Sequence, residues 1–555
     1  MATHVAATGR DDQWSALDVP ADGRRHPDPF LVIVLVLFTI LSLWTVFFLL
    51  SQQGSDNLWT GTNGFYIGDQ MQYVGWIRSS YQHILVGNPF KTSGGIRDYL
   101  NPGLVLSELL VAIGLSASVS YLVWTPVAAI ALGVVTWAYI RRTLSNTASR
   151  RIALVLALFY LSPLPFIAIH LHWAAVYLNA YALEMWPAFY LWGYPFTALS
   201  VALLMGCLLT LARAREERRF SWTCPICALF CAWLQPWQGA TLVLIVVGCE
   251  VYVRRGGLSR TKPSLLALTL VAAIVPLLYY FLLGHFDATW RLSGQVNNHS
   301  EPVSDLIFTL LPLGLFAVIA YVRRPPGFAS VTAYVWAIAA LAVFVLIDLA
   351  HGTVPDHALQ GLSVPVAILA VVGVGVLSKG LTSRTWIILT AGLVAILIAI
   401  PVAYELNEAR GLGQPAIFGA EPYFIRSSEA QALEYLARSP QEGAVLSTLY
   451  LGEIVPAETG RNTWVGIASW TPGFSARVEA AERLFSKQMT QTQATALVHS
   501  SGARFLLSDC SHRADLSSIL APVLQSKIQF GCATVYVVRP QSYRATSQLS
   551  DSRSK

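Results

Sequence analysis

Asp69 heads the segment Gly68-Asp69-Gln70-Met71-Gln72-Tyr73-Val74-Gly75-Trp76-Ile77-Arg78, which runs on to Asn88-Pro89-Phe90. With Asp56 it is one of two acids that come soon after the first strongly apolar run. A carboxylate at a bilayer boundary, flanked by amides and aromatics, can take a proton from a hydroxyl on one side and meet a lipid-carried substrate on the other. Partial burial would raise its pKa toward the working pH, and such a base contributes about 10²- to 10⁴-fold to a reaction. If the chain is helical from Gln70, Asp69, Tyr73, Trp76 and Ser80 share one face, and Met71, Val74, Tyr81 and Ile84 make a greasier one. That pattern describes a helix lying at a membrane surface. Asp69 with Gln72 three residues on also reads as a capping box, in which the acid only satisfies free backbone N–H groups. Both readings stand at this point.

The elements that must position Asp69 are written in the composition. Of 555 residues, 54% are hydrophobic and 12% charged, about half the charge of a soluble domain, which is about 25%. Most of the chain therefore belongs in lipid. The net charge of +6 comes largely from short Lys/Arg clusters between apolar runs, so it reports topology and gives no sign of nucleic-acid binding. Residues 1–28 read as a disordered polar tail, and Pro29 to Leu50 as a retained signal anchor without a cleavable signal peptide.

Residues 29–403 read as a membrane domain of about 11 transmembrane helices, a mainly α polytopic fold. Arg24-Arg25, Arg141-Arg142, Arg150-Arg151, Arg213 to Arg219 and Arg254-Arg255 mark cytoplasmic ends. This places the N-terminus in the cytoplasm of a multi-pass plasma-membrane protein, with a large first outer loop over 51–120. Gly103 to Leu115 fits an interfacial helix. Residues 220–253, interrupted at Gln235-Pro236, fit either a helical hairpin or a re-entrant pair. Beyond Tyr404 charges become regular and helical and strand signals alternate, so 404–540 reads as an extracytoplasmic α/β domain, followed by a polar tail over 541–555.

Ionisable residues gather at the expected outer turns. Asp69, Glu184, Asp287, Asp305, Asp348 and Asp356 lie there with His170, His172, His285, His351 and His357. A proton or ion pathway would place such groups midway across the membrane. Most of them also serve as ordinary wet loop residues. Arg291 beside Trp290 can hold a lipid phosphate or anchor its loop to headgroups. Gln70, Tyr73 and Trp76 are candidates for substrate binding, the two aromatics by stacking on a sugar or prenyl chain or by anchoring in the interface. Cys510 and Cys532, just after one strand signal and just before another, form a plausible disulfide in an oxidising compartment. Cys224, Cys227 and Cys231 share a helix face and read as packing residues, and no metal site is assigned to them.

Taken together, the acid soon after the first span, the interfacial helix continuing to Asn88-Pro89-Phe90, the span number and the C-terminal outer domain resemble the GT-C class of integral membrane glycosyltransferases. Gly361-Leu362-Ser363-Val364-Pro365, Thr459-Gly460-Arg461 and Trp470-Thr471-Pro472 resemble actinobacterial membrane proteins of this type. The resemblance implies transfer of a hexosyl or pentosyl group from a polyprenyl-phosphate-linked sugar donor to a cell-wall glycan, lipid or protein acceptor of the cell envelope. It implies Asp69 as general base on the acceptor, usually with inversion, and a second acid brought by folding from Glu184 or Asp287. The family often has a pair of adjacent acids where this chain has Asp69-Gln70, so a divalent metal is possible and none is assigned. No Asp-x-Asp motif for a nucleotide sugar occurs in the cytoplasmic segments. Two other classes compete: a transporter or lipid flippase, favoured by the interruption at Gln235-Pro236, and a non-catalytic envelope protein that binds partners through its outer domain.

Overall fold

A computed structural model describes residues 28–540 except 81–82, 174–175, 257–260, 297–301, 323–326, 351–352, 378–382 and 415–420. The expected polar tails, apart from residue 28, lie outside the described residues, as do Tyr81 and His351.

Apolar segments become helices that begin where the chain supplies a proline or a cap. Proline opens Pro29–Ser42, Pro102–Ala112, Pro195–Glu216, Pro236–Gly256 and Pro263–Phe286, a position whose backbone N–H has no helical partner to lose. Asp28 and Asn101 cap the first two through bonds from Phe30 N (3.0 Å) and Gly103 N (2.8 Å). Among the described residues seven helices are long and apolar enough to cross a membrane. Two bent pairs, Pro29–Ser42 with Trp44–Ser51 and Thr147–Phe159 with Leu164–His170, raise the number to nine if each pair is one crossing.

The sequence predicts about eleven crossings, and the difference lies in two short helices. Thr223–Leu234 has 12 residues and Ser363–Leu377 has 15, about 18 and 22 Å of helix against a hydrocarbon core of roughly 30 Å. The chain does break at Gln235, which is extended between Thr223–Leu234 and Pro236–Gly256. Pro102–Ala112 is the short apolar helix expected near Gly103, with Leu106, Leu109 and Ile113 exposed along it and at its end.

The C-terminal part carries a mixed four-stranded sheet, in the order β3 (Val445–Ser447), β4 (Phe505–Ser508), β6 (Ala533–Val538), β5 (Leu524–Phe530). β3 and β4 are parallel and the other pairs antiparallel. Side-chain alternation splits the sheet between two cores. Phe505 and Leu507 pack toward helix Ser427–Arg438 and the membrane bundle, whereas Leu506 and Tyr536 pack toward helices Phe474–Phe485 and Gln491–Ser501. Cys510 and Cys532 are joined by a disulfide.

The first of these cores continues without a gap into the first loop. Ile67, Met71 and Trp76 share it with Trp186, Trp192, Tyr423, Leu451, Val455 and Trp470. A two-stranded sheet stitches the same join, β1 (Leu58–Trp59) pairing with β2 (Phe424–Ile425). The helix Ile67–Ser80, called the first-loop helix below, is therefore covered on both sides. It does not lie open on a membrane surface, because the C-terminal part sits over it. Gly75 permits the approach, since a Cβ there would stand 3.1 Å from that of Pro456.

Candidate active site

The first-loop helix begins at Ile67, so Asp69 lies within its first turn and is not its cap. The capping-box reading fails for that reason: the preceding turn already starts the helix, with Gln70 N–H donating to Tyr66 O. Gln70 fixes that turn. Its Oε1 accepts from Asn63 N at 2.8 Å and its Nε2 donates to Trp192 O at 3.3 Å. Gly64, at φ +83°, lies so close to Trp192 O that a Cβ would stand 2.1 Å from it, and a side chain cannot be accommodated. Gln70 is thus a buried clamp that aims Asp69.

Asp69 points at Tyr194, the residue before the Pro195–Glu216 helix, whose hydroxyl donates to Asp69 Oδ2 at 2.6 Å. Tyr73, one turn along, stacks on Tyr121 with ring centres 5.7 Å apart and meets Tyr194 edge-on. Tyr121 in turn donates to Gly193 O at 2.6 Å, holding the Tyr194 turn in place. The result is an aromatic wall beside a carboxylate that is half-buried.

A second group faces this wall from the turn Pro355–Leu359. His357 Nδ1 lies 3.2 Å from Glu184 Oε2, which also accepts from Gln360 Nε2 at 2.6 Å. The imidazole stands edge-on to Trp237 (4.9 Å) and to Tyr194 (6.2 Å). Burial alone would lower its pKa, but the charges of Glu184, Asp356 and Asp69 hold it up to about 9, so it is a cation at neutral pH. The Asp69 carboxyl is raised by burial and pulled partly back by the Tyr194 hydrogen bond and the charge on His357. Glu453 approaches from the C-terminal part, 3.7 Å from the position of a Cβ on Gly68. Burial, with Glu421 and Asp69 adding to it, pushes its carboxyl up to about 8.

Glu184, Asp356 and His357 offer ligand-type atoms within 4.8 Å of one another, which makes them a candidate cation site. The Gln360 amide and the His357 proton already satisfy Glu184 Oε2. A divalent cation bound through His357 Nδ1 would displace that proton.

The structure thus brings Asp69, Tyr73 and Glu184 into one neighbourhood, with Trp76 edge-on to Tyr73 at 5.7 Å, and leaves Asp287 and Arg291 elsewhere. Trp76 donates to Gly87 O at 2.8 Å and packs edge-on against Trp470. Asp287 caps helix Ala288–Val296 by accepting from Thr289 N at 2.9 Å. Arg291 on that helix is exposed, while Trp290 packs between Tyr99 and Trp470. Sequence reasoning gave no role to Tyr194, Gln360 or Glu453, and it noted His357 and Asp356 only as residues of a turn. Tyr194 carried one usable signal, a tyrosine at a proline-opened helix start. The others come together only through the fold.

No protein-family model matches the sequence, and no curated protein matches it. Solved structures do. The oligosaccharyltransferase of Archaeoglobus fulgidus in its apo form superposes with a TM-score of 0.51 at 12% identity, over 92% of this chain and 75% of that one. The same enzyme tethered to an acceptor peptide containing an NVT sequon gives 0.50 at 12% identity, over 92% and 74%. ArnT from Cupriavidus metallidurans bound to undecaprenyl phosphate is more distant, at 0.46 and 13% identity, over 92% and 98%. The fold of this multi-pass membrane chain is the GT-C fold that the sequence resembles.

Proposed function

We propose that the chain is a membrane glycosyltransferase that moves a sugar from a polyprenyl-phosphate donor to a hydroxyl of a cell-envelope acceptor, with Asp69 as general base. The observation that carries the reading is a half-buried carboxylate of raised pKa, with one oxygen fixed by Tyr194 and a cationic His357 beside it. In the reaction, the acceptor O–H gives its proton to Asp69 and its oxygen bonds to the anomeric carbon. The bond from that carbon to the phosphate oxygen breaks, and the electron pair leaves with the polyprenyl phosphate. Preorganised cations are worth most where negative charge develops, which is the role given to His357. Tyr73, backed by Tyr121, is given the role of an aromatic wall beside the sugar. The GT-C fold supports this reading, since it is the fold of the archaeal oligosaccharyltransferase. The arginine-rich ends of the helices support the topology in which the site and the C-terminal part face outward, with the N-terminus in the cytoplasm.

The test is transfer of labelled sugar from polyprenyl-phosphate donors in membranes, comparing the wild type with Asp69→Asn. Asn keeps the shape and accepts the Tyr194 hydrogen bond but takes no proton. The expected result is a loss of about 10²- to 10⁴-fold with unchanged membrane yield. Equal transfer by both would remove Asp69 from the reaction. The break at Gln235, whose side chain bonds Thr197 (2.8 Å) and Gln360 (3.4 Å), favours a transporter as the second reading. Lipid translocation without sugar transfer in the same membranes would establish that reading instead.

A further inference from the structure

We propose that a cleft beside the C-terminal half of the first-loop helix binds the phosphate-bearing headgroup of an anionic membrane lipid. The cleft has a volume of about 950 Å³ and lies between that helix, the loop around Gly87–Arg97 and residues 456–462 of the C-terminal part. Arg78 follows Asp69 by nine residues, which on an α-helix is about two and a half turns and about 13 Å. Arg78 therefore sits on the opposite face and farther along, and Asp69 is not among the residues that line the cleft.

Its lining carries Arg78, Arg97 and Arg461 and no carboxylate. Arg461 is spent on structure, donating to the backbone carbonyls of Leu436, Gly443 and Ser439. Arg78 spends one N–H on Ala457 O at 3.3 Å. Arg97 is exposed and has no hydrogen-bond or ion-pair partner among the described residues. The charge of Glu458 reaches Arg78 from outside this lining, whereas no carboxylate lines the cleft beside Arg97. Two guanidinium groups line one space, and phosphate is the anion their planar fork suits best. Glycine keeps the walls close to the backbone: a Cβ on Gly460, at φ +72°, would stand 3.5 Å from Arg78 Nε.

Part of the lining is apolar. Val111 and Leu115 contribute to it, and on the same stretch of chain Leu109 is 58% and Ile113 78% exposed. Such large apolar side chains turned outward beside a membrane bundle are satisfied by acyl chains. Arginines and apolar side chains on one lining describe an amphiphile that sets its phosphate on the guanidinium groups. The inference goes beyond the transfer reaction and does not rest on it, because binding is read directly.

Native mass spectrometry of the full-length chain in detergent tests it, with dioleoyl phosphatidic acid, dioleoyl phosphatidylcholine and glycerol 3-phosphate added separately. The wild type should retain phosphatidic acid. Arg97→Gln, an exposed position whose loss leaves no buried group unpaired, should weaken retention about tenfold or more, and Arg78→Gln should do the same. Lys91→Gln, an exposed lysine outside the cleft, should leave retention unchanged. Equal retention by Arg97→Gln and Lys91→Gln would overturn the site. Retention of phosphatidylcholine as tight as that of phosphatidic acid would do so as well. Glycerol 3-phosphate bound as tightly as the lipid would overturn the lipid assignment in favour of a soluble phosphate ester.

Discussion

Two acid–histidine clusters in this molecule use the same residue types and are built to opposite ends. In the C-terminal part, Asp509 Oδ2 accepts from Thr448 Oγ1 (2.6 Å) and Oδ1 from the backbone N–H groups of Ser511 and His512 (2.8 and 2.9 Å). His512 uses both nitrogens, Nδ1 toward Asp509 (2.9 Å) and Nε2 toward Glu482 (3.0 Å). Both oxygens of Asp509 and both ring nitrogens of His512 are spent within the protein. At the other cluster, neither Asp69 Oδ1 nor His357 Nε2 has a hydrogen-bond partner among the described residues. A saturated cluster holds a loop in place. One with open atoms on a half-buried acid and a half-buried cation has something left to offer a substrate.

The same substitution at the two carboxylates separates these roles most sharply. Asp69→Asn should abolish most transfer and leave stability unchanged or slightly raised, because it removes a carboxylate that burial disfavours. Asp509→Asn should leave the turnover of folded enzyme unchanged and destabilise the C-terminal part by about 2 kcal/mol, because a buried acceptor of charge-assisted bonds is weakened. Hydrogen exchange over 445–538 combined with kcat measures both. If Asp509→Asn cost turnover and not protection, the contrast between the clusters would collapse.

A smaller effect sharpens the open cluster. The Tyr194 hydroxyl stabilises the ionised form of Asp69 and so opposes the upward pull of burial. A general base works deprotonated, so kcat/KM rises with pH through its pKa. Tyr194→Phe removes the opposing bond, and the acid limb of the profile should move to higher pH, with a loss of about tenfold at neutral pH. A limb that stayed in place would show that another group sets it.

How far this arrangement was legible in the chain follows from the range of each signal. Hydropathy is local, so the membrane helices and the change of character past Tyr404 were readable, and so were the elements around Ser428, Arg477 and Ala533. Edge strand β5 was not. Its Leu524-Gln525-Ser526-Lys527 start is largely exposed and lacks the alternation that marks a half-buried strand. Asp69 stood out by position as a candidate, but its capping-box alternative failed because Gly64 and Gln70 start the helix earlier, through contacts with Trp192. Asp287 was offered as a second acid, although Asp287-Ala288-Thr289 just before a helix is the pattern of a cap. Glu184 met His357 and Gln360 through folding alone, from separate helices and turns, and pairings of that kind leave no trace in local spacing.

The smallest effect tests the closed cluster by pH. Burial would lower the pKa of His512, yet the bonds and charges of Asp509 and Glu482 overcome it and hold the imidazole above its ordinary value. A histidine that binds its proton more tightly folded than unfolded stabilises the folded state fully below its unfolded pKa of about 6.5, and loses that contribution as pH rises through the folded value. The group is partly exposed, which limits the gain to about 1 kcal/mol. Hydrogen exchange over 474–515 should therefore show His512→Gln less protected than the wild type at about pH 5.5, with the gap closing well above neutrality. Gln still donates one bond to Asp509 or Glu482, so what disappears with pH is the charge and not the contact. A gap of the same size at both pH values would mean that His512 holds its loop by shape alone, and the two clusters would then differ in solvent access and not in how their protons are held.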